Sequence, residues 1–83
     1  MNWNVTIANA AQKELKRIQL QDAQKIMEVI ESMSEDPFFG DVKKFSDKTW
    51  RWRVGSYRIF YNIHSDIRLV YIFSVERRTS KTY

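Results

Sequence analysis

The chain has 83 residues, of which 43% are hydrophobic and 14% aromatic, with a net charge of +4, one histidine and no cysteine. That length supports one domain with a single core. Disulfides, thiolate metal sites and multi-histidine metal sites are excluded, and no apolar run approaches the roughly 20 residues that span a membrane. In chain order, Trp3-Asn4-Val5-Thr6-Ile7-Ala8 alternates in polarity and predicts a short strand. Asn9 suits an N-cap, because its side-chain oxygen can accept a free backbone N–H. Ala11, Leu15 and Ile18 then follow helical spacing. Leu20-Gln21 reads as a connection, and Asp22 favours the start of a second helix through the positive end of its dipole. Ala23, Ile26, Met27, Ile30 and Met33 form one apolar stripe, and Pro37 ends the pattern. Two helices joined this tightly predict an antiparallel αα-hairpin, whose apolar stripes need a sheet to cover.

Phe38-Phe39-Gly40-Asp41 reads as a turn with two apolar anchors, and Val42 to Asp47 leads into the next element. Lys43 and Lys44 either extend a basic surface or are simply solvated. The stretch from Thr49 to Tyr61 predicts a β-hairpin: Trp50, Trp52 and Val54 alternate with Arg51 and Arg53, and Tyr57, Ile59 and Tyr61 alternate around Arg58. Gly55-Ser56 suits a two-residue primed turn. That turn sets Val54 against Tyr57, Arg53 against Arg58 and Trp52 against Ile59. Like charges directly across a sheet destabilise it by a few tenths to about 1 kcal/mol. A bound anion would neutralise the Arg53/Arg58 pair.

The hairpin's second strand runs to about Ile63, His64-Ser65-Asp66 makes the next turn, and Ile67 to Val75 predicts a third strand. A three-residue turn puts Ile67, Leu69, Tyr71, Phe73 and Val75 on one face with Trp52 and Ile59. The other face then carries Arg51, Arg53, Arg58, Phe60, Asn62 and Arg68. A two-residue turn reverses this, and the three-residue turn is preferred because it sorts polarity better. Trp50, Trp52, Tyr57 and Tyr61 belong to the core. The chain closes on Glu76-Arg77-Arg78-Thr79-Ser80-Lys81-Thr82-Tyr83, basic and polar with a terminal aromatic. The expected architecture is α+β, in the order β-α-α-β-β-β. An αα-hairpin covers one face of a mostly antiparallel sheet and leaves the other open, basic and partly aromatic.

Charge follows this division. Residues 1–47 carry 6 basic and 8 acidic side chains, whereas residues 48–83 carry 8 and 2. A concentrated arginine field attracts polyanions, and the planar guanidinium fits phosphate and stacks on bases. His64, alone at a turn, reads as a solvated residue. No Ser/His/Asp set, pocketed carboxylate pair or phosphate-binding glycine loop can be assembled. Arginine, lysine, tyrosine and hydroxyls can grip phosphate and steady developing charge, but they supply no good general base. RNA cleavage by the substrate's own 2′-hydroxyl fits this inventory, since the nucleophile arrives with the RNA. No metal or cofactor is expected. Met1 to Thr6 lacks the charged and apolar regions of a signal peptide, so a cytoplasmic location is expected.

The segment Arg53-Val54-Gly55-Ser56-Tyr57-Arg58-Ile59-Phe60-Tyr61, the following hydrophobic strand, Val75-Glu76-Arg77-Arg78 and the closing Tyr83 resemble the RelE/ParE superfamily of toxin–antitoxin toxins. The resemblance covers residues 1–83 as one RelE-like domain and implies the RelE-like microbial RNase fold, without the C-terminal helix of several relatives. It implies a messenger-RNA interferase that enters the ribosomal A site, cuts the codon there, leaves 2′,3′-cyclic phosphate ends and is neutralised by a cognate antitoxin. By the same resemblance the catalytic positions are Arg51, Arg53, Arg58, Arg77 and Tyr83. Arg58 is implied to grip the scissile phosphate, Arg78 to share the role of Arg77, and Tyr83 to stack on a base or assist proton transfer. Lys43, Lys44, Arg68, Arg78 and Lys81 are the expected RNA-binding set. Arginine stands at 51 and 53 where lysines are familiar, which leaves the proton-transfer step unassigned. The ParE branch shares the fold but acts on DNA gyrase, and a member that binds only RNA or antitoxin is a third alternative.

Overall fold

A computed structural model of the protein describes residues 2–77. Its elements are β1 (Asn4–Ile7), α1 (Asn9–Arg17), α2 (Leu20–Ser32), β2 (Val42–Lys44), β3 (Thr49–Val54), β4 (Tyr57–His64) and β5 (Leu69–Arg77). The strands form one sheet in the order β1-β5-β4-β3-β2. β1 runs parallel to β5, and the remaining pairs are antiparallel. The helical pair carries the chain from β1 at one edge to β2 at the other, and β5 returns to lie beside β1. α1 packs against β5 and α2 against β3, so both helices cover the same face of the sheet. The α+β expectation holds, with Val42–Lys44 added as a short edge strand beside β3.

The core lies between the helices and that face. Ala11, Ile26, Ile30 and Met33 meet Trp52, Ile59, Tyr61, Ile63, Val70, Ile72 and Val75. Trp50 and Tyr57 pack against this cluster, so the hairpin's large aromatics do serve the core. Burying a side chain such as Ile59 or Ile72 stabilises the fold by about 1.5–3 kcal/mol each. The buried Tyr61 hydroxyl donates to the Pro37 carbonyl at 2.8 Å and ties the connection after α2 to the centre of the sheet. Among the described residues no helix is long and apolar enough to cross a membrane.

The helix boundaries differ from expectation. Asn9 is the first residue of α1, and its N-cap is Ala8 with no side-chain cap bond. Leu20 and Gln21 are helical rather than connecting, and Asp22 lies within the first turn of α2. The connection is Ile18-Gln19, and extended backbone at both residues separates the helices without a polar cap. Of the two apolar anchors expected after Pro37, only Phe38 serves. Its ring meets Trp3 and Trp50 edge-on at 5.7 and 5.1 Å, whereas Phe39 is 79% exposed. Gly40 has φ +148°, and a Cβ there would run into the Trp52 ring.

The largest difference concerns β5. Residues 65–67 form a 3₁₀ turn closed by Arg68 at φ +54°, and β5 begins at Leu69, paired with His64. The intervening loop has an even number of residues, so the parity is opposite to that of a three-residue turn. Val70 and Ile72 face the core, and Leu69 and Tyr71 lie on the open face. Phe60 pairs with Ser74 and Tyr61 with Ile72, so Phe73 has no partner across the strand. This bulge restores Val75 to the core, where it had been expected. The Phe73 ring lies against Phe60, with centroids 6.3 Å apart, which places it on the open face.

Candidate nucleic-acid interface

The open face is ordered in rows across the strands. The β3–β4 register sets Arg53 opposite Arg58, as the two-residue turn demands. Positive φ at Gly55 alone (+57°) is the pattern of a turn that needs glycine at its first central position. The row extends beyond the arginines in both directions. On one side Arg53 Nε donates to Asp41 Oδ2 at 2.8 Å, and the Arg53 N–H donates to the Asp41 carbonyl at 2.9 Å. On the other side β5 sets Glu76 directly opposite Arg58. The row therefore reads acid, base, base, acid: Asp41 from the residue before β2, then Arg53, Arg58 and Glu76 from the neighbouring strands β3, β4 and β5. The sheet itself offsets the repulsion that the sequence left unexplained, and a bound anion is not required to do so.

A second row lies one pleat away. Lys43 pairs with Arg51, and Arg51 with Phe60. Arg51 is half-buried, and its Nε has no hydrogen-bond partner among the described residues. Phe45, 53% exposed, sits beside Phe60 with ring centroids 5.8 Å apart, and Phe73 follows on the far side. In the third row the Thr49 hydroxyl donates to Asn62 Oδ1 at 2.7 Å, and Asn62 pairs with Tyr71. Side chains two residues apart on one strand face the same way at about 6.7 Å. The face thus steps from a charged row to a mixed basic and aromatic row within one nucleotide's span.

Several expected site residues lie elsewhere. Lys44 pairs with Trp50 and stands over its ring, Nζ 5.7 Å from the centroid, on the helix side of the sheet. Arg68 was expected on the open face of a strand. It occupies the left-handed position that closes the 3₁₀ turn, stacked 4.7 Å over Trp3 with Nε donating to the Asn2 carbonyl at 3.0 Å. Arg77 pairs with Tyr57, whose ring packs on the core, so its register is that of the helix side, one residue past the charged row. Arg78, Lys81 and Tyr83 lie outside the described residues. The structure brings together Lys43, Arg51, Arg53 and Arg58. Sequence reasoning missed Asp41 and Glu76. Glu76 was readable from Val75 on the core face, because the next residue must lie opposite. His64 ends β4 rather than forming the turn and is half-buried against Leu69's strand. Among the described residues, no cluster of three or more His, Cys, Asp or Glu could hold a metal ion.

The five-stranded mixed sheet with a helical pair on one face is shared with solved toxin structures. RelE of the archaeal RelE–RelB complex from Pyrococcus horikoshii OT3 superposes with a TM-score of 0.86 at 20% identity, over 98% of this chain and 100% of that one. The RelBE2 toxin–antitoxin complex of Mycobacterium tuberculosis gives a TM-score of 0.82 at 22% identity, over 94% and 100%. The isolated Escherichia coli RelE toxin gives 0.82 at 15% identity, over 95% and 87%. In sequence, the family model for the ParE toxin of the type II toxin–antitoxin system parDE matches residues 5–81. The RelE1 protein of Methanocaldococcus jannaschii is 31% identical over 83 residues, covering 94% of this chain and 92% of its own length. The chain belongs to the RelE/ParE superfamily of type II toxin–antitoxin toxins.

Proposed function

We propose that this toxin is a ribosome-dependent mRNA endoribonuclease that cuts A-site codons by attack of the substrate's 2′-hydroxyl and so arrests translation. The observation that carries this reading is the Arg53/Arg58 pair on the open face, with Arg51 and Lys43 in the adjoining row. Arg58 grips the scissile phosphate and steadies charge on its oxygens as the 2′-oxygen attacks. Arg53 and Arg51 hold the phosphates on either side, and Phe60 with Phe45 offers a stacking surface for a neighbouring base. Tyr83 completes the site, as the resemblance implies, whereas Arg77 ends β5 in the register of the helix side. The partners are the ribosomal A site, the message and a cognate antitoxin. An acidic, partly disordered antitoxin suits the basic second half of the chain, and P. horikoshii RelE and M. tuberculosis RelE2 were both solved bound to an antitoxin.

The test is to map message ends after induced expression. Cuts within translated codons, abolished by Arg58→Ala in a protein that remains folded, support the reading. Cuts that survive Arg58→Ala overturn the site. A second reading, inhibition of DNA gyrase, is favoured by the family-model match to ParE over residues 5–81. It predicts intact messages and failed supercoiling in vitro.

A further inference from the structure

Under the nuclease reading, the arginine cluster lacks a group that can take the 2′-hydroxyl proton, because a guanidinium has no acceptor. Two carboxylates flank the charged row. Asp41 is engaged, its Oδ2 held by Arg53 Nε at 2.8 Å. Glu76 is held differently. It lies directly opposite Arg58, on β5, with its Cβ about 5 Å from that of Arg58 by the geometry of a paired position. Its Oε2 accepts a hydrogen bond from the Ser74 hydroxyl at 3.1 Å, and it forms no ion pair among the described residues. The bulge at Phe73 puts it there: without the extra residue, Glu76 would fall on the helix side and Val75 on the open face. Ser74 and Glu76 share that face, so the hydroxyl can hold the carboxylate toward the row.

We infer that Glu76 is the general base of this site, acting on the 2′-hydroxyl of an RNA whose scissile phosphate is held by Arg58. The inference rests on the nuclease reading. In the step, a Glu76 oxygen takes the 2′-hydroxyl proton and the 2′-oxygen bonds to phosphorus. The bond from phosphorus to the 5′-oxygen breaks, and that oxygen takes a proton from water. The products are a 2′,3′-cyclic phosphate and a 5′-hydroxyl. Ser74 is a positioning residue, acting through Glu76.

The alternative is that Glu76 is only a counter-ion to Arg58, and the two roles predict opposite signs. A counter-ion competes with phosphate, so its neutralisation tightens RNA binding and speeds cleavage. A general base is worth roughly 10²–10⁴-fold in rate. The experiment is single-turnover cleavage on ribosomes programmed with a defined message, with affinity measured separately on a non-cleavable 2′-deoxy message. Glu76→Gln should lower the rate constant by roughly 10²-fold or more while affinity stays equal or improves. Glu76→Asp should recover part of the loss, and Ser74→Ala should cost several-fold in rate only. Wild-type or faster cleavage by Glu76→Gln overturns the inference and leaves the nuclease reading standing. So does an equal fall for Gln and Asp that follows a loss of urea stability. A wild-type protein that cuts nothing under conditions that arrest growth overturns both.

Discussion

Arg53 binds the Asp41 carboxylate at 2.8 Å while facing Arg58 across the β3–β4 ladder. The pair with Asp41 is well exposed, 42% on one side chain and 52% on the other, so its effect on stability is small, about 0.2–1 kcal/mol. Under the nuclease reading its effect on the site is larger, because Asp41 would compete with phosphate for the same guanidinium. Asp41→Asn should lower stability by less than about 1 kcal/mol in urea denaturation. It should also tighten the binding of a short RNA and steepen its salt dependence between 50 and 200 mM salt, conditions in which phosphate contacts dominate. Weaker binding would show instead that Asp41 orients Arg53 for RNA.

Gly40 fixes how the connection after α2 enters the sheet. Its φ of +148° is unfavourable for other residues, and its α-carbon lies against the Trp52 ring with no room for a methyl group. Gly40→Ala therefore combines backbone strain with overpacking and should destabilise the fold by about 2–4 kcal/mol. Gly55→Ala is the control. Its φ is +57°, but a Cβ there meets nothing within 4 Å, so only the backbone preference is lost, about 1 kcal/mol. Chemical denaturation of both variants checks the ranking.

The hairpin was legible because a single two-residue turn determines every pairing from Val54–Tyr57 to Thr49–Asn62. Both helices were legible from their apolar stripes, but their ends were not, since neither Ala8 nor Gln19 offers a side-chain cap to read. β5 was misread for a physical reason. Val70 and Ile72 on one face and Leu69, Tyr71 and Phe73 on the other are all apolar, so polarity cannot choose its register. That choice belongs to the 3₁₀ turn and to Arg68, whose left-handed backbone is held by contacts with Asn2 and Trp3 from the other end of the chain. Long-range contacts of this kind leave no local signature. The same misreading placed Arg68 in the site.

Tyr61 is fully buried, and its hydroxyl is bonded to the Pro37 carbonyl at 2.8 Å. Burial first, and the nearby Asp36 charge second, push its ionisation well above the ordinary tyrosine value. A raised folded-state pKa keeps the proton bound in the native protein after the unfolded chain has lost it. The associated stability is intact below about pH 10 and declines as pH rises above that, by up to about 1.4 kcal/mol per pH unit. Tyr61→Phe removes the hydrogen bond and leaves a buried carbonyl unsatisfied, at a cost of about 1–3 kcal/mol at neutral pH. The difference between the two proteins should then shrink above pH 10. Urea titrations at pH 7 and at pH 10.5 measure both effects.

The basic side chains divide into those on the open face and those engaged elsewhere, and salt titration can tell them apart. Lys43 and Arg51 share a row with Phe60, next to the Arg53/Arg58 pair. Each phosphate contact to single-stranded nucleic acid contributes about −0.7 to the slope of log affinity against log salt concentration. Lys43→Ala and Arg51→Ala should each weaken RNA binding and flatten that slope by about that amount. Lys44 stands over Trp50 on the helix side, and Arg68 stacks on Trp3 at the turn before β5. Lys44→Ala and Arg68→Ala should leave the slope unchanged, and Arg68→Ala should instead lose the cation–π contact, about 0.5–1 kcal/mol of stability. Equal slopes for all four variants would mean that RNA reads only the protein's net charge. A flattened slope for Arg68→Ala alone would move the interface to the turn at residues 65–68.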